Sequence, residues 1–355
     1  MKATDYLLRH ARALNPGCFA MVMATGIVSI DMHQHGMAAL ARALFALNVV
    51  AFAVLLGLSV LRACLFRREL TADFLDPARG SGFLTLAAAS CVLGSQCLTV
   101  FDLPRAALAL ALFGALCWVV LTYLFLAATI TARIKPRFTR SINGGWLVAV
   151  VATQSLAVLL VLLLARSPDA PAWMFLALCL YLLGDALYLL IITLVVYRIV
   201  FFPLRAREFT PPYWINMGAL AITTLAGSLL VTHIPTDSAL AALTPFVKGF
   251  TLFFWATATW WIPLLVMLEV WQYGWRRVPL RYEVDAWDIV FPLGMYTVGT
   301  FELANALHLD FLLPIPAVGV FVSSLMWLIV GIAAATHLLH PRRAEIAAGH
   351  LQSSR

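Results

Sequence analysis

Residues Leu103–Ala128 read LPRAALALALFGALCWVVLTYLFLAA, and past Arg105 this run contains no charged residue. A hydrocarbon core of roughly 30 Å needs about 20 helical residues to cross, so the stretch is a membrane-spanning helix. Nine further apolar stretches flank it. They cover 16–34, 37–65, 82–101, 144–166, 171–202, 211–233, 239–271, 287–308 and 312–340, and the run itself belongs to 104–132. The fold class that follows is all-α and integral to the membrane, with ten spans. A composition of 63% hydrophobic and 12% charged residues excludes an ordinary soluble domain.

The cations divide unequally between the connections. Lys2, Arg9, Arg12, Arg62, Arg67, Arg68, Arg79, Arg133, Lys135, Arg137, Arg140, Arg198, Arg205, Arg207, Arg276, Arg277, Arg281, Arg342, Arg343 and Arg355 fall on one side. Of 24 cationic residues only Arg42, Arg105, Arg166 and Lys248 fall on the other. Lys and Arg accumulate on the cytoplasmic side, which puts both termini inside. The expected organisation is a cytoplasmic N-terminus over 1–15, a transmembrane domain over 16–340 and a cytoplasmic tail over 341–355, in a bacterial inner membrane. The formal charge of +7 is accounted for by topology and anionic lipid headgroups, without nucleic acid as a partner. The first span follows a short basic segment but lacks a small-residue cleavage site, so it reads as a span rather than a cleaved leader.

The spans are of two kinds. Short outer turns at His33–Gly36, Asp102–Leu103 and Ser167–Ala170 pair each odd span with its successor as a helical hairpin. Odd spans begin near Pro or Gly and carry a hydroxyl midway: Thr25, Ser90, Thr153, Thr223 and Thr297. These are separated by 65, 63, 70 and 74 residues, the period of one hairpin used five times. Even spans are rich in Leu, Ala, Val and Phe and poor in Gly, which suits lipid-facing helices. Small and hydroxyl residues in all five odd spans suit an inner ring around a central channel. The bland alternative is that they only allow close packing.

Four strings are distinctive: Met21-Val22-Met23-Ala24-Thr25-Gly26-Ile27-Val28-Ser29, Tyr213-Trp214-Ile215-Asn216-Met217-Gly218-Ala219, Phe254-Trp255-Ala256-Thr257-Ala258-Thr259-Trp260-Trp261-Ile262-Pro263 and Phe291-Pro292-Leu293-Gly294-Met295-Tyr296-Thr297. With them the chain resembles the tellurite-resistance/dicarboxylate transporter family, which includes the bacterial tellurite-resistance protein, fungal malate permease and sulfite pump, and plant slow anion channels. The resemblance runs over almost the whole chain. It implies five hairpins around a pore lined by odd helices, packed as a homotrimer, with a Phe before a Pro as the gate; Phe291 and Pro292 match that position. Ala24 stands where the family often has Gly. The family carries several anions, and no string here separates them.

An anion leaving water needs substitutes for its hydration shell, and conduction favours weak sites over a buried cation. Hydroxyls and free backbone N–H groups meet that need. The candidate lining residues are therefore Thr25, Gly26, Ser90, Thr153, Thr223, Pro292 and Thr297, against the alternative that each hydroxyl bonds a carbonyl one turn back. Tyr296 is the fallback gate, because Phe291 lies only about 6 Å into its helix from Trp287 at 1.5 Å per residue. Charged groups inside the membrane are candidates for function. Glu302 and Lys248 fall at similar depths on adjacent spans and are expected to form an ion pair. The alternative is a Glu302 that couples transport to protons. Asp185 is a second candidate for coupling, or a partner for a neighbouring hydroxyl.

Cys18, Cys64, Cys91, Cys97, Cys117 and Cys179 form no CxxC and read as apolar filler, and no metal or cofactor motif is present. No HExxH or Ser/His/Asp grouping supports an enzyme. The functional expectation is transport of small anions, of the oxyanion or C4-dicarboxylate class, through an aromatic-gated pore. The competing reading is a proton-coupled exporter of dicarboxylate, sulfite or tellurite.

Overall fold

The computed structural model describes residues 3–165 and 171–339. Lys2, Arg166, the turn at Ser167–Ala170 and the tail 341–355 lie outside the described residues. All regular structure among the described residues is helical. The ten long helices are α1 (Ala20–Gln34), α2 (Ala38–Leu65), α3 (Thr85–Phe101), α4 (Pro104–Thr131), α5 (Val148–Leu164), α6 (Pro171–Phe201), α7 (Ile215–His233), α8 (Thr244–Glu269), α9 (Trp287–Leu307) and α10 (Pro314–Leu339). Eight helical segments are long and apolar enough to cross a membrane. The other two long helices are α1 and α9. The former has only 15 residues, and the latter carries Asp288 and Glu302.

Burial separates the helices by parity. In Gly80–Phe101, Gly144–Leu164 and Pro211–His233 the apolar windows are 83%, 78% and 89% buried, whereas those of α2 and α4 are 17% buried. The odd helices therefore form an inner layer, and the even helices present Leu, Val and Phe outward. Apolar faces of this kind are stable only in lipid. The inner contacts form a closed cycle: α1 packs on α3, α3 on α5, α5 on α7, α7 on α9 and α9 on α1.

Glycine makes these approaches close. A β-carbon on Gly26 would come within 2.7 Å of Val92, and one on Gly94 within 2.7 Å of Leu159. At Gly144, just before α5, it would collide with the Pro212 carbonyl oxygen. On Gly218 it would meet Pro292 at 2.7 Å, on Gly299 the Ala221 carbonyl oxygen at 2.7 Å, and on Gly294 Ile27 at 2.9 Å. Each contact of the cycle thus has a glycine where backbone meets a neighbour. This is the small-residue packing that holds helices together in the absence of a hydrophobic drive.

A second set of bonds joins each outer helix to the inner helix that follows it. Asn48 of α2 donates to Gln96 of α3 (2.9 Å), and Trp118 of α4 to Thr153 of α5 (2.8 Å). The Tyr188 hydroxyl of α6 donates to the Asn216 carbonyl of α7 (3.2 Å), and Trp255 of α8 to Thr300 of α9 (3.0 Å). Finally Trp327 of α10 donates to Thr25 of α1 (3.0 Å), returning to the start of the chain.

At the basic end, polar contacts tie the segments preceding the inner helices together. Buried Arg62 donates to the Leu14 carbonyl (2.8 Å) and to Asp73 (2.5 Å), and Arg79 takes the other Asp73 oxygen at 2.6 Å. Asn15 donates to Asp285 at 2.9 Å and Asn143 to the Ala78 carbonyl at 3.2 Å. Burial pushes the Asp285 carboxyl above its ordinary range, against the pull of the Asn15 amide and the charge of Arg79. At the opposite end, Gly36, Asp102 and His308 each adopt a positive φ where an inner helix turns into its outer partner.

Gly299→Ala should lower thermal stability by about 1–3 kcal/mol, because a fixed carbonyl stands where the methyl would go. Gly57→Ala, which meets nothing within 4 Å, should be neutral or gain up to about 1 kcal/mol from helix propensity. Thermal unfolding in detergent compares the two. Equal behaviour would remove the seam as an explanation.

Candidate functional site

The helix that carries Phe291 can be oriented by its contacts. Pro292 and Gly299 meet Gly218 and Ala221 of α7. Tyr296 and Thr300 bond Thr259 and Trp255 of α8. Thr297 abuts Gly319 of α10, and Gly294 abuts Ile27 of α1. At 3.6 residues per turn each step is about 100°. Phe291 therefore falls on the arc between the α7 and α1 contacts, facing away from α8 and α10. Met295, Val298 and Glu302 follow it at helical spacing on the same stripe.

Phe291 is 2% exposed, one turn into α9, as its distance from Trp287 requires. Pro292 next to it removes one backbone N–H from the helix and bends most easily there. Tyr296 lies about 140° round the helix from Phe291 by the same count. Its hydroxyl is 2.8 Å from Thr259, so it is turned to the outer helix and away from the Phe291 stripe.

The hydroxyls expected to line a lumen have other partners. Ser90, Thr153, Thr223 and Thr297 donate to the carbonyls of Leu86, Ala149, Ala219 and Leu293, one turn back, at 2.7–2.9 Å. Thr25 and Thr153 also accept from tryptophans of outer helices. Thr297 and Ser90 face glycines of outer helices, Gly319 and Gly114. All five are buried. Four of the five thus lie at the interface between the inner and outer layers, because a hydroxyl satisfied within its helix lets the outer helix come close. Gly26 is used in the same way, at the α1–α3 seam. Pro292 fills the α7–α9 seam.

The intramembrane charges are not arranged as expected. Lys248 is exposed on α8, whereas the Glu302 carboxylate accepts from Gln34 of α1 at 2.7 Å. The Lys248–Glu302 ion pair is therefore not formed: similar depth does not put two side chains on facing sides of their helices. Asp185 is bonded by the Gln154 amide (3.1 Å) rather than by a hydroxyl.

One buried carboxylate escapes the reading of the sequence. Asp31 of α1 is fully buried, accepts from Ser323 of α10 at 2.9 Å and lies 3.2 Å from His35. The signal that singles out Asp185, a carboxylate inside an apolar run, applies equally to Asp31. The tryptophan partners of Thr25, Thr153 and Thr300 leave no such signal, since each pair joins different spans. Among the described residues no group of His, Cys, Asp and Glu is placed to hold a metal ion. The cysteines are free; Cys18, Cys91 and Cys97 are buried and Cys64 is exposed.

Gln34→Leu should destabilise the protein by about 1 kcal/mol, because it strips the Glu302 carboxylate of its amide donor in a partly buried site. Glu302→Gln in that background should recover part of the loss, as read by thermal unfolding. No loss in the single variant would show that Gln34 does not hold Glu302.

A family model described as voltage-dependent anion channel matches residues 13–335. An uncharacterized membrane protein of Mycobacterium tuberculosis, Rv1735c, is 43% identical over 153 residues, which cover 43% of this chain and 77% of that protein. The uncharacterized transporter MJ0576 of Methanocaldococcus jannaschii is 25% identical over 321 residues, 84% of this chain and 86% of its own length. A second transporter of that organism, MJ0762, also uncharacterized, is 24% identical over 300 residues, 79% and 82% of the two chains.

Proposed function

Because the chain belongs to the SLAC1 voltage-dependent anion channel family, and is a transporter rather than an enzyme, we propose that it conducts small anions along the axis of its inner helices, with Phe291 as the gate. The observation that carries this reading is the register of α9: its contacts with α1, α7, α8 and α10 leave Phe291 on the stripe facing none of its outer neighbours. In this reading ten helices form five hairpins around the pore. The closed cycle of inner contacts supports that arrangement. The one-sided distribution of Lys and Arg supports cytoplasmic termini in a bacterial inner membrane. A homotrimer is proposed on the family resemblance alone.

The substrate class is an oxyanion or C4-dicarboxylate. With the hydroxyls of Thr25, Ser90, Thr153 and Thr297 turned to outer helices, the lining we propose centres on Phe291, Met295 and Val298 of α9, with Gly26 and Pro292 at adjoining seams. A pore lined this way holds anions weakly, which favours throughput over tight binding. Glu302 on the same stripe favours one second reading, a proton-coupled exporter in which that carboxylate takes up and releases the proton. Currents that reverse at the anion's Nernst potential at every pH support the channel. Anion movement against its own gradient, driven by protons, supports the exporter.

Phe291→Ala should raise anion conductance in planar bilayers with normal yield. A Phe packed in a core would instead lose about 3–5 kcal/mol on the same change and express poorly. Unchanged current with poor yield would reject the gate.

Orientation is tested separately. A cysteine at Arg137, in a version without native cysteines, should resist an impermeant thiol reagent added outside, and one at Asp237 should react. The reverse pattern would invert the proposed topology.

A further inference from the structure

The aromatic and hydroxyl run of α8, Phe254-Trp255-Ala256-Thr257-Ala258-Thr259-Trp260-Trp261, has no part in the conduction path described above. Two of its residues reach α9. Trp255 Nε1 donates to Thr300 Oγ1 at 3.0 Å, and its ring lies parallel to that of Tyr296, with centroids 6.5 Å apart and planes 13° apart. Thr259 Oγ1 lies 2.8 Å from the Tyr296 hydroxyl.

Accounting for the protons fixes the directions. A hydroxyl has one hydrogen to donate. Thr259 directs its hydrogen to the Trp255 carbonyl (2.9 Å), so the Tyr296 hydroxyl donates to Thr259. Thr300 directs its hydrogen to the Tyr296 carbonyl (2.6 Å), so its oxygen is free to accept from the indole. The four residues form a closed loop, Trp255 to Thr300 to Tyr296 to Thr259 and back, with every side-chain donor used.

The loop sits just past the weakest point of α9. Pro292 supplies no N–H to the helix there. Tyr296 follows Phe291 by five residues, about 7.5 Å along the axis. A helix interrupted at a proline swivels about the break unless the segment beyond is held. Resting on the gate reading above, we propose that Trp255 and Thr259 are positioning residues, which hold the rotation of α9 through Tyr296 and Thr300 and so aim Phe291 at the axis.

The test is a set of double-mutant cycles on the purified protein in planar bilayers. Tyr296→Phe and Trp255→Phe each remove one bond, the latter with part of the ring, and Thr259→Val removes two while keeping the shape of the side chain. Each is made with Phe291 present and in the Phe291→Ala background, with thermal unfolding measured alongside. With Phe291 present, each should raise basal conductance by about threefold or more, the lower range of coupling between interacting residues. In the Phe291→Ala background none should raise it further, because no ring remains to be misaimed. Thr259→Ser, which keeps the hydroxyl, should conduct like the parent.

Equal effects in both backgrounds would reduce the loop to a packing role and overturn the proposal. So would unchanged conductance in variants whose Phe291→Ala counterpart conducts. If Phe291→Ala itself conducts no better than the parent, the gate falls and the brace with it.

Discussion

Close approach of backbones between inner helices is the constraint on which the rest depends. In lipid, apolar side chains gain little by leaving their solvent, so helices associate through van der Waals contact and hydrogen bonds. At every contact of the inner cycle a glycine lets the neighbour come nearer than a β-carbon permits. That nearness governs the placing of hydroxyls too. Ser90, Thr153, Thr223 and Thr297 satisfy themselves inside their own helices, and so serve as small, dry surfaces for packing. A polar residue in an inner helix of this protein is mostly a means of building the wall.

The helices and their two classes could be read from the sequence, because apolar length and the placing of Gly and Pro report directly on burial in a bilayer. The stripe of Phe291 could be placed only after its neighbours were known. A proline on one side and a tyrosine five residues later do not say which helix each one meets. The hydroxyls were found by position but left open in direction, since a period of one hairpin fixes height along a helix and does not fix rotation. Lys248 and Glu302 failed for the same reason: matched height, opposite sides. Asp31 was visible in principle, as a carboxylate in an apolar run. The tryptophan donors were not, as each bonds a threonine in another span.

The two ends of the molecule are built by different chemistry. Where the cations collect, Arg62, Asp73 and Arg79 form a partly buried ionic knot, and Asn15 binds Asp285 across most of the chain's length. A buried ion pair recovers its desolvation cost only with good geometry, so such a knot contributes more to a single arrangement than to net stability. At the opposite end three joints are tight left-handed turns, at Gly36, Asp102 and His308, with Gln34 on Glu302 and His35 on Asp31 beside the first of them. Rigidity at one end and brevity at the other leave the helices themselves to supply any motion, and their hydrogen bonding is interrupted at Pro263 of α8 and Pro292 of α9.

The bond from Trp327 to Thr25 also bears on how the chain is made. It joins residues 302 positions apart, and the contact of α9 with α1 spans nearly as far. As the polypeptide emerges and its helices enter the bilayer in order, the inner layer grows as an open arc. The inner face of α1 waits for a partner that does not exist until most of the molecule has been synthesised. Long-range closure of this kind is slow to reach, and it exposes unfinished surfaces for as long as it takes. The newborn arc therefore carries its own vulnerable edge, the flank of α1 that bears Thr25 and Ile27, which only the last two helices can cover.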